Sequence, residues 1–240
     1  MKRALLVLTV SVFIFGVTNK TNAQSKFSYG AKLGLNYEIL TTKYVSNKPS
    51  TTDPNPKGLG FHLGGYANYN FTDKLGARAE LLFNYYATKT SSTETNDYPT
   101  ESTVSKSDDK TRFSYISIPL LVNFSAAKNI SFQSGFQVGF LAGFKHTYTG
   151  TTTTTYKATS FSAASTETHS YGGTSTNKTS LNGIDAAFAI GGIYEMDNGL
   201  NFGLRYNRSL NSLNTQLKSF FKEHWNVIQI SVGYKIGGKK

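Results

Sequence analysis

The sequence predicts an all-β chain of eight antiparallel strands closing into an up-and-down barrel. Three observations lead there. Apolar residues recur with a period of two through eight separate segments, no helical periodicity of useful length appears beyond the N-terminal region, and the connections alternate long and short. Residues 26–40, KFSYGAKLGLNYEIL, show the pattern in its simplest form. Phe27, Tyr29, Ala31, Leu33, Leu35, Tyr37 and Ile39 occupy one face, and Ser28, Gly30, Lys32, Gly34, Asn36 and Glu38 the other.

The N-terminus has a different character. Lys2 and Arg3 precede an apolar run from Ala4 to Val17, and Thr21-Asn22-Ala23 resembles a cleavage site. This is the layout of a secretory signal peptide over 1–23, leaving one domain over 24–240. The run is short for a spanning helix. An exported chain with no Cys has no disulfide framework, so burial and backbone hydrogen bonds must hold it together.

The strands follow in order. A polar segment, 41–57, leads to alternation over 58–72, with Leu59, Phe61, Leu63, Ala67, Tyr69 and Phe71 on one face. Thr72-Asp73-Lys74 forms a tight turn into the strand at 75–88. A second polar segment, 89–111, precedes the strand at 112–126, where Ile116, Ile118, Leu120, Val122 and Phe124 alternate with Tyr115, Ser117, Pro119, Leu121 and Asn123. Ala127-Lys128-Asn129 turns the chain into 130–148, which sets Phe132, Phe136, Val138, Phe140 and Phe144 against Gln133, Gly135, Gln137, Gly139 and Lys145. A Thr/Ser-rich segment, 149–179, comes next, and residues 150–178 are expected to be the least ordered part. The strands at 181–196 and 200–210 are joined by Asp197-Asn198-Gly199, a strong turn signal. A fourth polar segment, 211–224, leads to the final strand at 225–238.

Alternation does not say which face points inward. The position of the glycines does. Gly30, Gly34, Gly60, Gly64, Gly135 and Gly139 lie on the polar face, and so do most of the others. Eight strands enclose an interior that side chains just fill. Small residues belong there, and the phenylalanines would overfill it. The apolar face therefore points outward to lipid, with Tyr29, Tyr37, Tyr69, Tyr85, Tyr194, Tyr206 and Tyr234 near the strand ends as aromatic girdles. Three short turns share an end with both termini, and four long segments share the other, as in outer-membrane barrels. The expected protein is an eight-stranded antiparallel up-and-down transmembrane β-barrel of the outer membrane. Its partners are membrane lipid and proteins or glycans at the outer segments, and it is expected to be monomeric. Basic residues exceed acidic ones, 25 to 14, but no run of five basic residues occurs, and nucleic acid is excluded as a partner of an exported chain.

The polar face carries an interior charge network: Lys32, Glu38, His62, Arg78, Glu80, Lys145, Asp185, Glu195 and Arg205. Lys32, Arg78, Glu80 and Glu195 fall in the periplasmic half, Glu38, His62, Lys145 and Asp185 in the outer half, and Arg205 near the middle. Each level then holds both signs, which suits a plug of ion pairs, since buried charges are costly unless paired. A narrow passive channel is the alternative. An outer-rim hydrolase is the other alternative. Among the four histidines, His169 beside Glu167 and His224 beside Glu223 are the rim candidates, and their spacing carries no specific signal. No catalytic, cofactor or metal set is recognisable, so neither a cofactor nor an enzymatic role is expected.

At YISIPLLVNF (115–124), with YGAKLGLNY (29–37) and ISVGYKIG (230–237), the chain resembles the porin-like, PorT-type family of small outer-membrane β-barrels. The resemblance implies an outer-membrane address and an eight-strand barrel, and one branch of that family is linked to secretion and gliding machinery. Pro119 lacks an N–H and is expected to leave a gap or bulge in its ladder.

Overall fold

Wherever apolar and polar residues alternate, the chain is extended. The computed structural model describes residues 26–44, 55–158, 162–216 and 220–238. The expected leader, 1–23, lies outside the described residues. The strands are β1 (Phe27–Tyr44), β2 (Lys57–Asn70), β3 (Leu75–Asp97), β4 (Glu101–Ala127), β5 (Ile130–Tyr156), β6 (Ser165–Ser175), β7 (Ile184–Glu195), β8 (Leu200–Ser209) and β9 (Phe221–Gly237). Eight of them close a ring, β1-β2-β3-β4-β5-β7-β8-β9, with β9 pairing back onto β1 and every pairing antiparallel.

Burial fixes the orientation of the wall. Lys32 is 6% exposed and Glu38 is 0%, whereas Leu33 and Leu35 are 66% and 68% exposed. Successive side chains of a strand point to opposite faces, so the rings and aliphatics face out all around and the polar residues face in. Phe61 stacks on Tyr85 across β2 and β3, with ring centroids 5.3 Å apart. The turns at 71–74, Lys128-Asn129 and 196–199 lie at the end that holds both termini of the ring. In the last of them the Gly199 N–H donates to Met196 O, and Gly199 adopts φ +91°. That conformation is left-handed and available to glycine without steric cost.

Two of the segments expected as loops are strands. Residues 89–97 and 101–111 pair in unbroken register within β3 and β4, from Lys89↔Lys110 to Asp97↔Ser102. Residues 149–156 continue β5, and residues 165–175 form β6, which pairs with the far half of β5. The four strands make a sheet that rises from the barrel wall as an outer blade, about 35 Å tall for some eleven residues per strand. The segments read as polar loops, and 150–178 as the least ordered part, because both blade faces are wet and no hydrophobic alternation marks them. Thr is nonetheless a strong strand former. Cross-strand hydroxyls meet at Thr153–Thr168 (3.2 Å) and Thr155–Thr166 (3.4 Å). Tyr171 lies over Gly150 and Tyr148 over Gly173, each ring covering a glycine on the facing strand.

A β-bulge marks the junction of wall and blade. Ser114 pairs with Gly143 but Tyr115 pairs with Leu141, so Ala142 is the surplus residue. A bulge reverses side-chain parity beyond it. Phe144, expected on the lipid face, therefore turns in against Phe113, with ring centroids 5.2 Å apart. Pro119 faces in opposite Gln137, and the β3 ladder lacks its pairs between Ala79↔Leu120 and Leu82↔Ser117 without a shift of register. The missing N–H makes a gap there, and no bulge.

The inward glycines are set by space. A Cβ on Gly34 would meet Ile230 O, sit 2.6 Å from His62 Cε1 and lie 2.8 Å from Ser231 Cα. On the outward face, a Cβ on Gly65 would find only Gly30 O at 3.5 Å. Gly34→Ala is expected to abolish the heat-modifiable folded band on gels, and Gly65→Ala to leave stability within about 0.5 kcal/mol. Equal folding of the two variants would contradict the packing described.

Candidate functional site

The lumen is built from one face of eight strands, and its contents change with height. At the inner rim, Lys235 pairs with Glu195, both partly exposed. Just above, Asn201 Nδ2 donates to Tyr66 Oη at 3.0 Å, and the Arg78 guanidinium lies 3.7 Å from the centroid of the Tyr66 ring.

The charged centre follows. Glu80, on β3, has no exposed side-chain surface and takes three cations. Arg205 on β8 donates Nη1 to Oε2 at 2.8 Å and Nη2 to Oε1 at 2.7 Å, Arg78 Nε donates to Oε1 at 2.6 Å, and Lys32 Nζ reaches Oε2 at 3.3 Å. β3 and β8 stand four strands apart in the ring of eight, on opposite walls. The two-pronged Arg205–Glu80 contact therefore spans the lumen, with the planar fork geometry that guanidinium and carboxylate share. Arg205 Nη2 also donates to Gln133 Oε1 at 3.1 Å, and Gln133 Nε2 donates to Asn123 Oδ1 at 2.9 Å.

Above the charges lies a layer of amides. Gln229 Nε2 donates to Asn36 Oδ1 (3.1 Å) and Asn84 Oδ1 (3.2 Å), and Asn207 Nδ2 donates to Gln229 Oε1 (2.8 Å). His62 Nδ1 donates to Asn36 Oδ1 at 2.7 Å, which fixes its tautomer because that oxygen only accepts. Glu38 is fully buried at this level, and no side chain among the described residues donates to its carboxyl oxygens. The outer mouth is apolar. Trp225, Phe113, Tyr86, Tyr115, Leu40, Val227 and Leu213 form a buried cluster, with Trp225 edge-on to Phe113 at 5.2 Å. Leu213 comes from the segment between β8 and β9, held over the mouth by the Leu213 N–H to Glu223 O and the Asn182 N–H to Leu213 O.

Of the nine residues singled out from the sequence, Lys32, Arg78, Glu80 and Arg205 meet in one cluster. Glu195 belongs to the rim pair. Glu38 and His62 lie on the lumen face above the cluster. Asp185 is half-buried beside Gly139. Lys145 is not an interior residue: the bulge at Ala142 turns it outward, and it is exposed. Charges consequently do not balance level by level. The lower cluster has three cations to one carboxylate, and the outer half has Glu38 and Asp185 with no Lys or Arg on the lumen face among the described residues. The aromatic cap was missed by sequence reasoning. Trp225 shares its parity with Val227 and Gln229, and that was the available signal.

The two rim candidates stand on strands that do not pair, His169 on β6 and His224 on β9 opposite Thr41. His169 Nε2 lies 3.9 Å from Glu167 Oε2, with both side chains exposed on β6, and His146 Nε2 bonds Asp109 Oδ1 at 2.9 Å on the blade. Among the described residues, no group of three His, Asp or Glu side chains has the arrangement of a metal site.

An apolar exterior, a closed ladder and a polar, filled core define a transmembrane β-barrel of the outer membrane. The chain belongs to the outer membrane protein beta-barrel domain family, which it matches over residues 22–214. Among solved structures it is similar to Ail, the attachment invasion locus protein of Yersinia pestis, with 12% identity over 88% of this chain and 99% of that one and a TM-score of 0.37. It is also similar to Neisserial surface protein A (10% identity, 86% and 97% covered, TM-score 0.36) and to OprG from Pseudomonas aeruginosa (14% identity, 90% and 99% covered, TM-score 0.32). No curated protein matches it.

Removing one partner from a buried ion cluster leaves uncompensated charge and costs about 3–5 kcal/mol. Glu80→Ala is expected to destabilise the barrel by that amount in urea unfolding from detergent micelles, and Arg78→Ala in the same direction. Lys157→Ala removes an exposed pair with Asp97 and is expected to cost under about 1 kcal/mol. Equal midpoints for the three variants would refute a structural role for the cluster.

Proposed function

We propose that the protein is a sealed barrel that displays its outer blade and outer segments for binding, and that it neither conducts nor catalyses. One observation carries the reading: the Arg205–Glu80 contact crosses the full width of the lumen. The amide layer and the Trp225 cap stack above it. An interior of eight strands has little room beyond its side chains, so this polar column acts as a plug.

A rigid scaffold that presents variable surface is a common arrangement for binding. Here the presented surface is the Ser/Thr/Tyr-rich sheet of β3, β4, β5 and β6 beyond the wall, and the partners are proteins or glycans. The finer kinship is with the PorT-type branch, through YISIPLLVNF on β4, whose Pro119 faces the lumen. Support for a secretion system belongs with that kinship. Residues 1–23 act as the export leader and 24–240 as the mature domain.

Planar bilayers test the sealed lumen. The protein is expected to give no discrete openings, and Glu80→Ala combined with Trp225→Ala to give small irregular ones. Reproducible unitary steps from the unaltered protein would establish the narrow channel instead. Hydrolysis of lipid or peptide, lost on His169→Ala or His224→Ala, would establish the rim enzyme.

A further inference from the structure

The two rims of the barrel treat their cations differently. At the inner rim, Lys128 lies 3.1 Å from Asp197 and Lys235 pairs with Glu195, while Lys26 and Lys74, in no ion pair among the described residues, have no cation paired opposite them. At the outer rim, outward-facing cations stand directly opposite one another on neighbouring strands. Lys57 pairs in register with Lys89, and Lys89 with Lys110, giving three lysines in a row across β2, β3 and β4. Arg112 is opposite Lys145 across β4 and β5, and Lys43 opposite Lys222 across β1 and β9.

Residues so placed are roughly 5 Å apart at Cα, and like charges in these positions repel. None of these seven cations forms an ion pair among the described residues, and all are exposed except the half-buried Arg112. The next outward carboxylate above Lys110 is Asp108, which accepts a hydrogen bond from Ser91 Oγ. The bulge at Ala142 turns Lys145 to this face, opposite Arg112 and one outward position below the level of Lys110.

Height identifies what meets the cations. Lys57 lies two residues above Leu59, Lys89 four above Tyr85, and Lys43 four above Ile39, and all three lower residues are outward-facing. The cations therefore sit just past the apolar band and its tyrosines, at the level of the lipid headgroups. A cluster of cations at a membrane surface attracts anionic headgroups, and phosphate accepts hydrogen bonds from several Lys and Arg donors at once. We propose that this outer rim is a docking belt for the phosphates of outer-leaflet lipid headgroups, centred on Lys57, Lys89 and Lys110. The proposal is independent of whether the lumen conducts.

The test uses the folded full chain in phosphatidylcholine bilayers containing a minor share of diphosphoryl lipid A, or of the same glycolipid with its phosphates removed. Co-purifying glycolipid is counted by native mass spectrometry. The unaltered protein is expected to retain the diphosphoryl form and to lose at least about tenfold of that retention in K57Q/K89Q/K110Q. K74Q/K128Q at the inner rim is expected to retain it fully. The dephosphorylated glycolipid is expected not to be held, and inorganic phosphate not to displace the bound form. Undiminished retention by a triple variant that still shows heat-modifiable folding would overturn the proposal. So would equal retention of the dephosphorylated lipid, equal loss in the inner-rim variant, or displacement by inorganic phosphate, which would indicate a free-anion site.

Discussion

The contact between Arg205 and Glu80 joins opposite walls of the barrel, and much of the interior is arranged around it. In hydrocarbon every backbone N–H and C=O needs a protein partner, and the closed ladder supplies most of them, with a gap at Pro119. Closing only eight strands brings the walls near enough for one guanidinium–carboxylate pair to reach across. The tight curvature of so small a ring also forbids a Cβ at positions such as Gly34 and Gly60, where a backbone carbonyl of the adjacent strand already occupies the space. Glu80 is then surrounded by Arg205, Arg78 and Lys32, and Tyr66 takes the face of Arg78. With the group fully desolvated, each partner both compensates the carboxylate and fixes the position of its strand.

Charge along the barrel axis is segregated. Cations dominate the lower lumen, carboxylates lie in the outer lumen, and cations without an ion pair among the described residues line the outside of the upper rim on β1 to β5 and β9. Above that rim the wall continues as a polar sheet whose hydroxyls pair with one another across strands. Each zone meets a different medium: protein interior, acyl chain, headgroup and water. The side chains change accordingly without any change in the extended backbone.

The wall was legible in the sequence because one of its faces is apolar throughout. Phe27 to Ile39 on β1 and Ile228 to Ile236 on β9 fix their own orientation, and glycine placement then separates lumen from lipid. The blade was not legible, since a strand wet on both faces has no alternation to display, and Thr151 to Thr155 looks like a flexible tract. The phase of β5 was ambiguous for a different reason. Phe140, Leu141, Ala142 and Phe144 supply apolar residues in both registers, so nothing local reveals the surplus residue at Ala142. The inward faces identified Lys32, Arg78, Glu80 and Arg205 as neighbours of the lumen. Which of them would touch depends on the relative heights of opposite strands, a property of the closed ring that no single segment encodes.

The surplus residue at Ala142 also governs how this architecture tolerates change in length. Beneath it, even and odd positions are committed to lipid or lumen; above it, the commitment is exchanged. An added pair of residues at that joint would lift the blade and leave its faces as they are. An odd addition would swing Lys145 over the mouth and push Phe144 into the headgroup layer. Growth at the joint is thus quantised in dipeptide steps, while the hairpin tips beyond Asp97 and Tyr156 can lengthen freely.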